Sequence, residues 1–184
     1  MGESLVQRTF ERIASQLEEL RIDFALAGAL AVGVRGHLRL TVDVAILIAA
    51  DGLALFKARW LGRGHAERMP GGRGVRDTET GVSVDFLIAG EFPGDGRPKP
   101  VRFPNPALLP RSETSPRVLD LRTLIELKLA SGMSSPDRLQ DLADVLSLVR
   151  ANRLAESFAD TLDDSVREKF RELWNAAQHP PREL

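Results

Sequence analysis

Cysteine is absent from all 184 residues, which removes disulfides, thiolate metal sites and cysteine nucleophiles from consideration. Neither sign of charge is in excess: 25 Lys and Arg stand against 26 Asp and Glu, a net charge of −1. A chain so balanced has no bulk attraction for nucleic acid, although a local basic face is compatible with it. Long apolar runs are missing as well. The apolar stretches fall far short of the roughly 20 residues that a membrane helix needs. The N-terminus, MGESLVQRTFERIASQLEEL, carries acids among its apolar residues and does not read as a signal peptide. Together these absences predict a cytoplasmic protein with no membrane partner. Several catalytic patterns are wanting too. His37, His65 and His179 lack metal-ligand spacing, and Ser83 has no Ser-His-Asp setting. Gly71-Gly72-Arg73-Gly74 is not followed by the Lys-Ser/Thr of a phosphate-binding P-loop.

What remains is enough for one compact domain with a helical appendage: 43% hydrophobic residues for a core and 28% charged residues for its surface. Phe10, Ile13, Leu17 and Leu20 recur at helical spacing. A short strand follows at Asp23–Ala27, then a turn at Gly28 into a small-residue helix, Ala29–Val34. Thr41–Ile48 is the strongest strand, with Val42, Val44, Ile46 and Ile48 on one face and Asp43, Ala45 and Leu47 on the other. A helix over Gly52–Leu61, a hairpin with a mobile tip over residues 70–81 and a strand over Val82–Ile88 come next. GEFPGDGRPKP, residues 90–100, is too rich in Pro and Gly for regular structure. Val101–Phe103 is a candidate to return to the sheet.

The final third reads as helices. Asp120 caps Leu121–Ser131, Gly132 stops it, and Ser135-Pro136 opens the next, with a stripe of Leu139, Leu142, Leu146 and Val149. Asp164–Ala177 is the last. The order predicts a mixed α/β (α+β) domain: a sheet core over residues 1–115, and a C-terminal helical part over residues 116–184 packed on it as one unit.

Asp43 and Asp85 occupy the less apolar faces of two strands. If those strands are neighbours, the two carboxylates share one edge and can hold Mg²⁺, which takes oxygen ligands and keeps water and substrate phosphate. The spacing is equally consistent with two acids at solvent-exposed strand ends. Gly28, at a strand-to-helix turn, permits close approach of a phosphate to backbone amides, but a glycine there is explained as well by a tight turn.

The run Phe24-Ala-Leu-Ala-Gly28-Ala-Leu-Ala-Val, followed by Arg39-x-Thr41-x-Asp43-Val-Ala45-Ile-Leu-Ile, resembles the core of small bacterial nucleotidyltransferases. These are the minimal and toxin-associated members of the polymerase-beta-like superfamily. Their pattern is a Gly-Gly or Gly-Ser turn, Arg-x-Thr-x-Asp-x-Asp in a strand, a third acid in a later strand, and a Lys-Asp-Leu-x-Asp element in C-terminal helices. Gln140-Asp141-Leu142-Ala143-Asp144 stands in that last place, after Glu126-Leu-Lys128. The resemblance spans about residues 20–150. It implies a nucleotidyltransferase-like core that transfers a nucleoside monophosphate from a nucleoside triphosphate to an acceptor hydroxyl, on tRNA or a protein, with Mg²⁺. It makes Asp43 and Asp85 metal-binding and catalytic carboxylates, with Asp85 as base. It places Gly28, Ala29, Arg39, Thr41 and Lys128 at the nucleotide, Lys128 alternatively steadying the helices.

The departures carry equal weight. The second metal carboxylate of the pattern falls at position 45, which is Ala45. A methyl group cannot ligate Mg²⁺. Ala29 and Gln140 stand where the pattern has a second Gly or Ser and a Lys. Three explanations stand: Ala45 is an engineered inactivating change, or another acid, Asp51 or Glu79, substitutes, or the chain is a catalytically inactive module that binds a nucleotide or a partner on the same fold. Asp141 and Asp144 fit a solvated helix face as well as a site. Arg63, Arg68, Arg73 and Arg76 form a candidate basic patch for a polyanionic acceptor.

Overall fold

The computed structural model describes residues 4–109 and 117–179. The predicted boundary after residue 115 lies outside them. The chain forms two compact units, each assembled from separate stretches of sequence. One comprises residues 1–31, 39–90 and 104–119, and the other residues 32–38, 91–103 and 120–184.

The first unit is built on a five-stranded mixed sheet in the order β1-β2-β5-β4-β3. Its strands are β1 (Phe24–Ala27), β2 (Asp43–Ile48), β3 (His65–Glu67), β4 (Val75–Asp77) and β5 (Ser83–Ile88). β2 runs antiparallel to β1 and parallel to β5, while β4 is antiparallel to both β3 and β5. The helices of this unit are α1 (Leu5–Glu19) and α3 (Ala50–Trp60). Alternation writes the sheet's core: Val44, Ile46, Val84 and Phe86 are buried, while the residues between them in β5 are half-buried. α1 adds the helical stripe Phe10, Ile13 and Leu17. Each such side chain contributes about 1.5–3 kcal/mol by leaving water.

β2 begins two residues later than its sequence pattern suggests. β5 offers partners only from Asp43 onward and β1 only from Ala45, so Val42 has no ladder to join and is 84% exposed. The predicted return of Val101–Phe103 to the sheet does not occur. Phe103 donates its N–H to the Glu91 carbonyl at 2.9 Å, closing the loop on itself within the second unit. The sheet edge beside β1 is instead met by Val118, bridged in parallel to Leu26. At the hairpin, Lys57 of α3 bonds Glu67 at 2.7 Å and the Gly72 carbonyl.

The second unit packs α4 (Leu121–Gly132), α5 (Leu139–Ala151) and α6 (Asp164–Gln178) around Leu124, Ile125, Leu129, Leu148 and Phe170. α2 (Gly28–Val34) begins in the first unit and ends in the second. Asp120 caps α4 as expected, accepting from Thr123 N–H at 3.0 Å. Ser135 does not cap α5. Its hydroxyl bonds Asp137, and a 3₁₀ turn at Pro136–Arg138 intervenes. The buried stripe of α5 is Asp144, Val145, Leu148 and Val149, rotated from the predicted one, with Leu139 left 68% exposed. Gly132 is a close-packing residue, since a Cβ there would lie 2.5 Å from Leu142. Among the described residues no helix is long and apolar enough to cross a membrane.

Candidate active site

β2 and β5 run side by side in the register Asp43↔Ser83 and Ala45↔Asp85. Register partners on neighbouring strands point the same way, so Asp43, Ala45, Ser83 and Asp85 share one face of the sheet. All four are half-buried. The residues between them, Val44 and Val84, turn into the core at 0% exposure. The two predicted carboxylates are thus brought together, with Ala45 directly opposite Asp85. Burial raises the Asp85 pKa above its ordinary value, the nearby Arg68 guanidinium opposes the rise, and the Asp43 charge adds to it. Asp43 is oriented from its own strand's approach: the Thr41 hydroxyl donates to its Oδ1 at 2.6 Å. Thr41, expected at the nucleotide, therefore acts first on the carboxylate.

Gly28 follows β1 and opens α2 with φ +61°, in the left-handed region that favours glycine. A Cβ at this position would stand 2.8 Å from the Ala45 Cβ. The turn thus passes directly over residue 45, and its glycine is required for that approach. Ala29, next in the chain, is half-buried in the first turn of α2. Arg39 is half-buried and donates to the Leu40 carbonyl at 3.3 Å.

Sequence reasoning placed Arg68 in a diffuse basic patch. In the structure its Nη1 lies 2.5 Å from Asp85 Oδ1. The β3–β4 hairpin puts it there, closed by the Arg68 N–H to Gly74 carbonyl bond at 3.2 Å. Only the pairing of β4 with β5 brings residues 68 and 85 together, and no periodicity in the sequence announces it. The substitute acids are committed elsewhere. Asp51 bonds the Gly52 N–H at 2.8 Å. Glu79 pairs with Arg8 at 2.9 Å and Arg12 at 2.6 Å, beside a cavity of about 280 Å³ that includes neither Asp43 nor Asp85.

Lys128 belongs to the second unit and is 6% exposed. Its ammonium sits 2.9 Å from Asp141 and 2.7 Å from Asp144. Ser131 donates to Asp141 at 2.6 Å, and Gln140 to Asp144 at 3.0 Å. Asp144 is fully buried, so the solvated-face reading does not hold for it. Within this unit the motif joins α4 to α5 through charge pairing.

The donor set decides which metal chemistry fits. Among the described residues no group of three or more His, Cys, Asp and Glu side chains is placed to hold a metal. Asp43 and Asp85 are a two-carboxylate set suited to one hard cation that keeps much of its water.

No protein-family profile matches the chain, and no curated protein matches it. A solved structure does. It is the crystal structure of ANT(2'')-Ia in complex with adenylyl-2''-tobramycin, with a TM-score of 0.57, 13% identity, and coverage of 90% of this chain and 96% of the other. The chain shares the fold of that structure. At this identity the likeness speaks for the fold, and the five-stranded mixed sheet with C-terminal helices agrees with it.

Proposed function

We propose that the chain binds a nucleoside triphosphate at the β2–β5 face and is impaired for nucleotidyl transfer because residue 45 is alanine. The observation that carries this reading is the register Ala45↔Asp85. It sets a methyl group directly opposite Asp85 and two residues from Asp43, at the point where the resembled pattern has its second metal carboxylate. Asp43 and Asp85 are assigned to a single Mg²⁺, which when bound would offset phosphate charge. Gly28, Ala29 and Arg39 are assigned to the triphosphate, and Thr41 to holding Asp43. Lys128 is assigned to packing, since its charge is matched within its own helices.

Loss of a preorganised electrostatic partner lowers a reaction rate by about a hundredfold or more, roughly 3 kcal/mol. Residual transfer to an acceptor hydroxyl, on RNA or a protein, is the second reading, and the pairing of Asp43 with Asp85 on one face supports it. The ANT(2'')-Ia structure is a complex with adenylyl-2''-tobramycin, so adenosine triphosphate is the first donor to try.

Calorimetry with each nucleoside triphosphate, with and without Mg²⁺, tests the reading on this chain and on Ala45→Asp. Binding by this chain, with Mg²⁺-dependent binding much tighter in Ala45→Asp, is the expected result. Absence of binding by either chain overturns the nucleotide assignment and leaves the fold.

A further inference from the structure

We infer that Arg68 is a tethered cation that holds Asp85 in place of a metal ion, and so sets whether this face can take a divalent cation at all. The inference rests on the reading of Asp85 as a metal carboxylate.

The contact is positioned by the local backbone. The β3–β4 hairpin carries Arg68 across to β5, and its 3.2 Å backbone bond to Gly74 fixes where the side chain starts. Gly74 is the residue the pair passes over. A Cβ there would lie 3.1 Å from Asp85 Oδ1, 3.2 Å from Arg68 Cδ and 3.3 Å from the Val84 carbonyl. Glycine at 74 leaves room for the arginine stem and the carboxylate together. Lys57 secures the tip through Glu67 and the Gly72 carbonyl, so the arm that bears Arg68 is anchored to α3.

The guanidinium engages Oδ1 of the carboxylate that faces Ala45. A Mg²⁺ approaching Asp43 and Asp85 meets a positive charge already seated on one of its ligands. It must therefore displace Arg68 or bind beside it against repulsion. With a third carboxylate at 45, the ion could gain enough to win that competition. With alanine, the ion competes against the arginine through two carboxylates alone and binds more weakly. A plain surface ion pair is the alternative. At 40% and 46% side-chain exposure such a pair adds little to stability, and its removal leaves metal affinity unmoved.

The test is a Mn²⁺ titration of the full chain without nucleotide, followed by electron paramagnetic resonance of the free ion. Arg68→Gln is expected to tighten Mn²⁺ binding by at least about tenfold, and Arg68→Lys to stay close to the parent. Adding Asp85→Asn to Arg68→Gln is expected to abolish the gain. An Arg68→Gln chain that binds Mn²⁺ no more tightly than the parent overturns the inference, as does a gain that survives Asp85→Asn. Because no nucleotide is present, failure here leaves the nucleotide reading intact, and failure of nucleotide binding leaves this result standing.

Discussion

Gly28 lies so close over Ala45 that a Cβ on the glycine would be 2.8 Å from the alanine Cβ. This one contact joins the β1–α2 turn to the strand that bears Asp43. Two costs therefore meet in Gly28→Ala. The left-handed backbone, φ +61°, disfavours a side chain by about 1–2 kcal/mol. The collision adds about 1–3 kcal/mol of overpacking. Urea denaturation should show both, and Gly28→Ala combined with Ala45→Gly should recover only the second. Full recovery in the double variant would mean that the backbone conformation is not strained.

The same contact makes Ala45→Asp sterically acceptable, because an aspartate Cβ takes the place of the alanine Cβ beneath a glycine that leaves room for it. The new carboxylate would stand opposite Asp85 and two residues from Asp43. Without metal, three acids on one face repel one another, so Ala45→Asp should melt lower than the parent. With Mg²⁺ the order should reverse, and Mg²⁺ affinity should rise at least about tenfold, roughly 1.4 kcal/mol. Melting curves with and without Mg²⁺ check this. Identical Mg²⁺ responses in the two chains would remove position 45 from the metal site.

The sheet that carries the site was legible because its signals are local. Val44, Ile46 and Ile48 alternate along β2, and Val84, Phe86 and Ile88 along β5, so the faces bearing Asp43 and Asp85 could be read from each strand alone. Their adjacency needed the family pattern. What escaped was set by contacts distant in sequence. Arg68 reaches Asp85 only through the hairpin's register. The α5 stripe differs because it was read from apolar residues alone. Asp144 is buried, paired with Lys128 sixteen positions earlier, and the helix turns that face inward. Likewise His65, one of three histidines without a pattern, is fully buried and bonded to Gln16 at 2.7 Å. Burial lowers its pKa, with Asp77 opposing that shift and Arg12 adding to it.

Asp85 yields a prediction on pH. Burial raises its pKa in the folded chain, with the Asp43 charge adding to the rise against Arg68. A carboxyl raised in this way holds its proton more tightly folded than unfolded. Stability therefore falls as pH rises from the unfolded value, about 3.9, through the folded one, and the deficit persists above it. Asp85→Asn should melt above the parent at pH 7, and the difference should vanish below about pH 4. The side chain is nearly half exposed, so the effect is small. A variant that melts below the parent at pH 7 would show that the Arg68 pair outweighs the burial of the charge.

Lys128 separates packing from phosphate binding. Its side chain is 8% exposed, and its ammonium is the shared partner of Asp141 and Asp144. Lys128→Met keeps much of the apolar stem but leaves the fully buried Asp144 carboxylate without that ammonium. Removing one partner of a buried charge pair costs about 3–5 kcal/mol. Replacing the acids as well, with Lys128→Met, Asp141→Asn and Asp144→Asn together, should recover much of the loss, because amides can be buried without a counter-charge. Urea denaturation of the single and triple variants measures this. Calorimetry of the triple variant then tests the nucleotide. Unchanged affinity is expected if Lys128 serves the helices alone, whereas a loss of affinity in a chain of restored stability would return Lys128 to the phosphates.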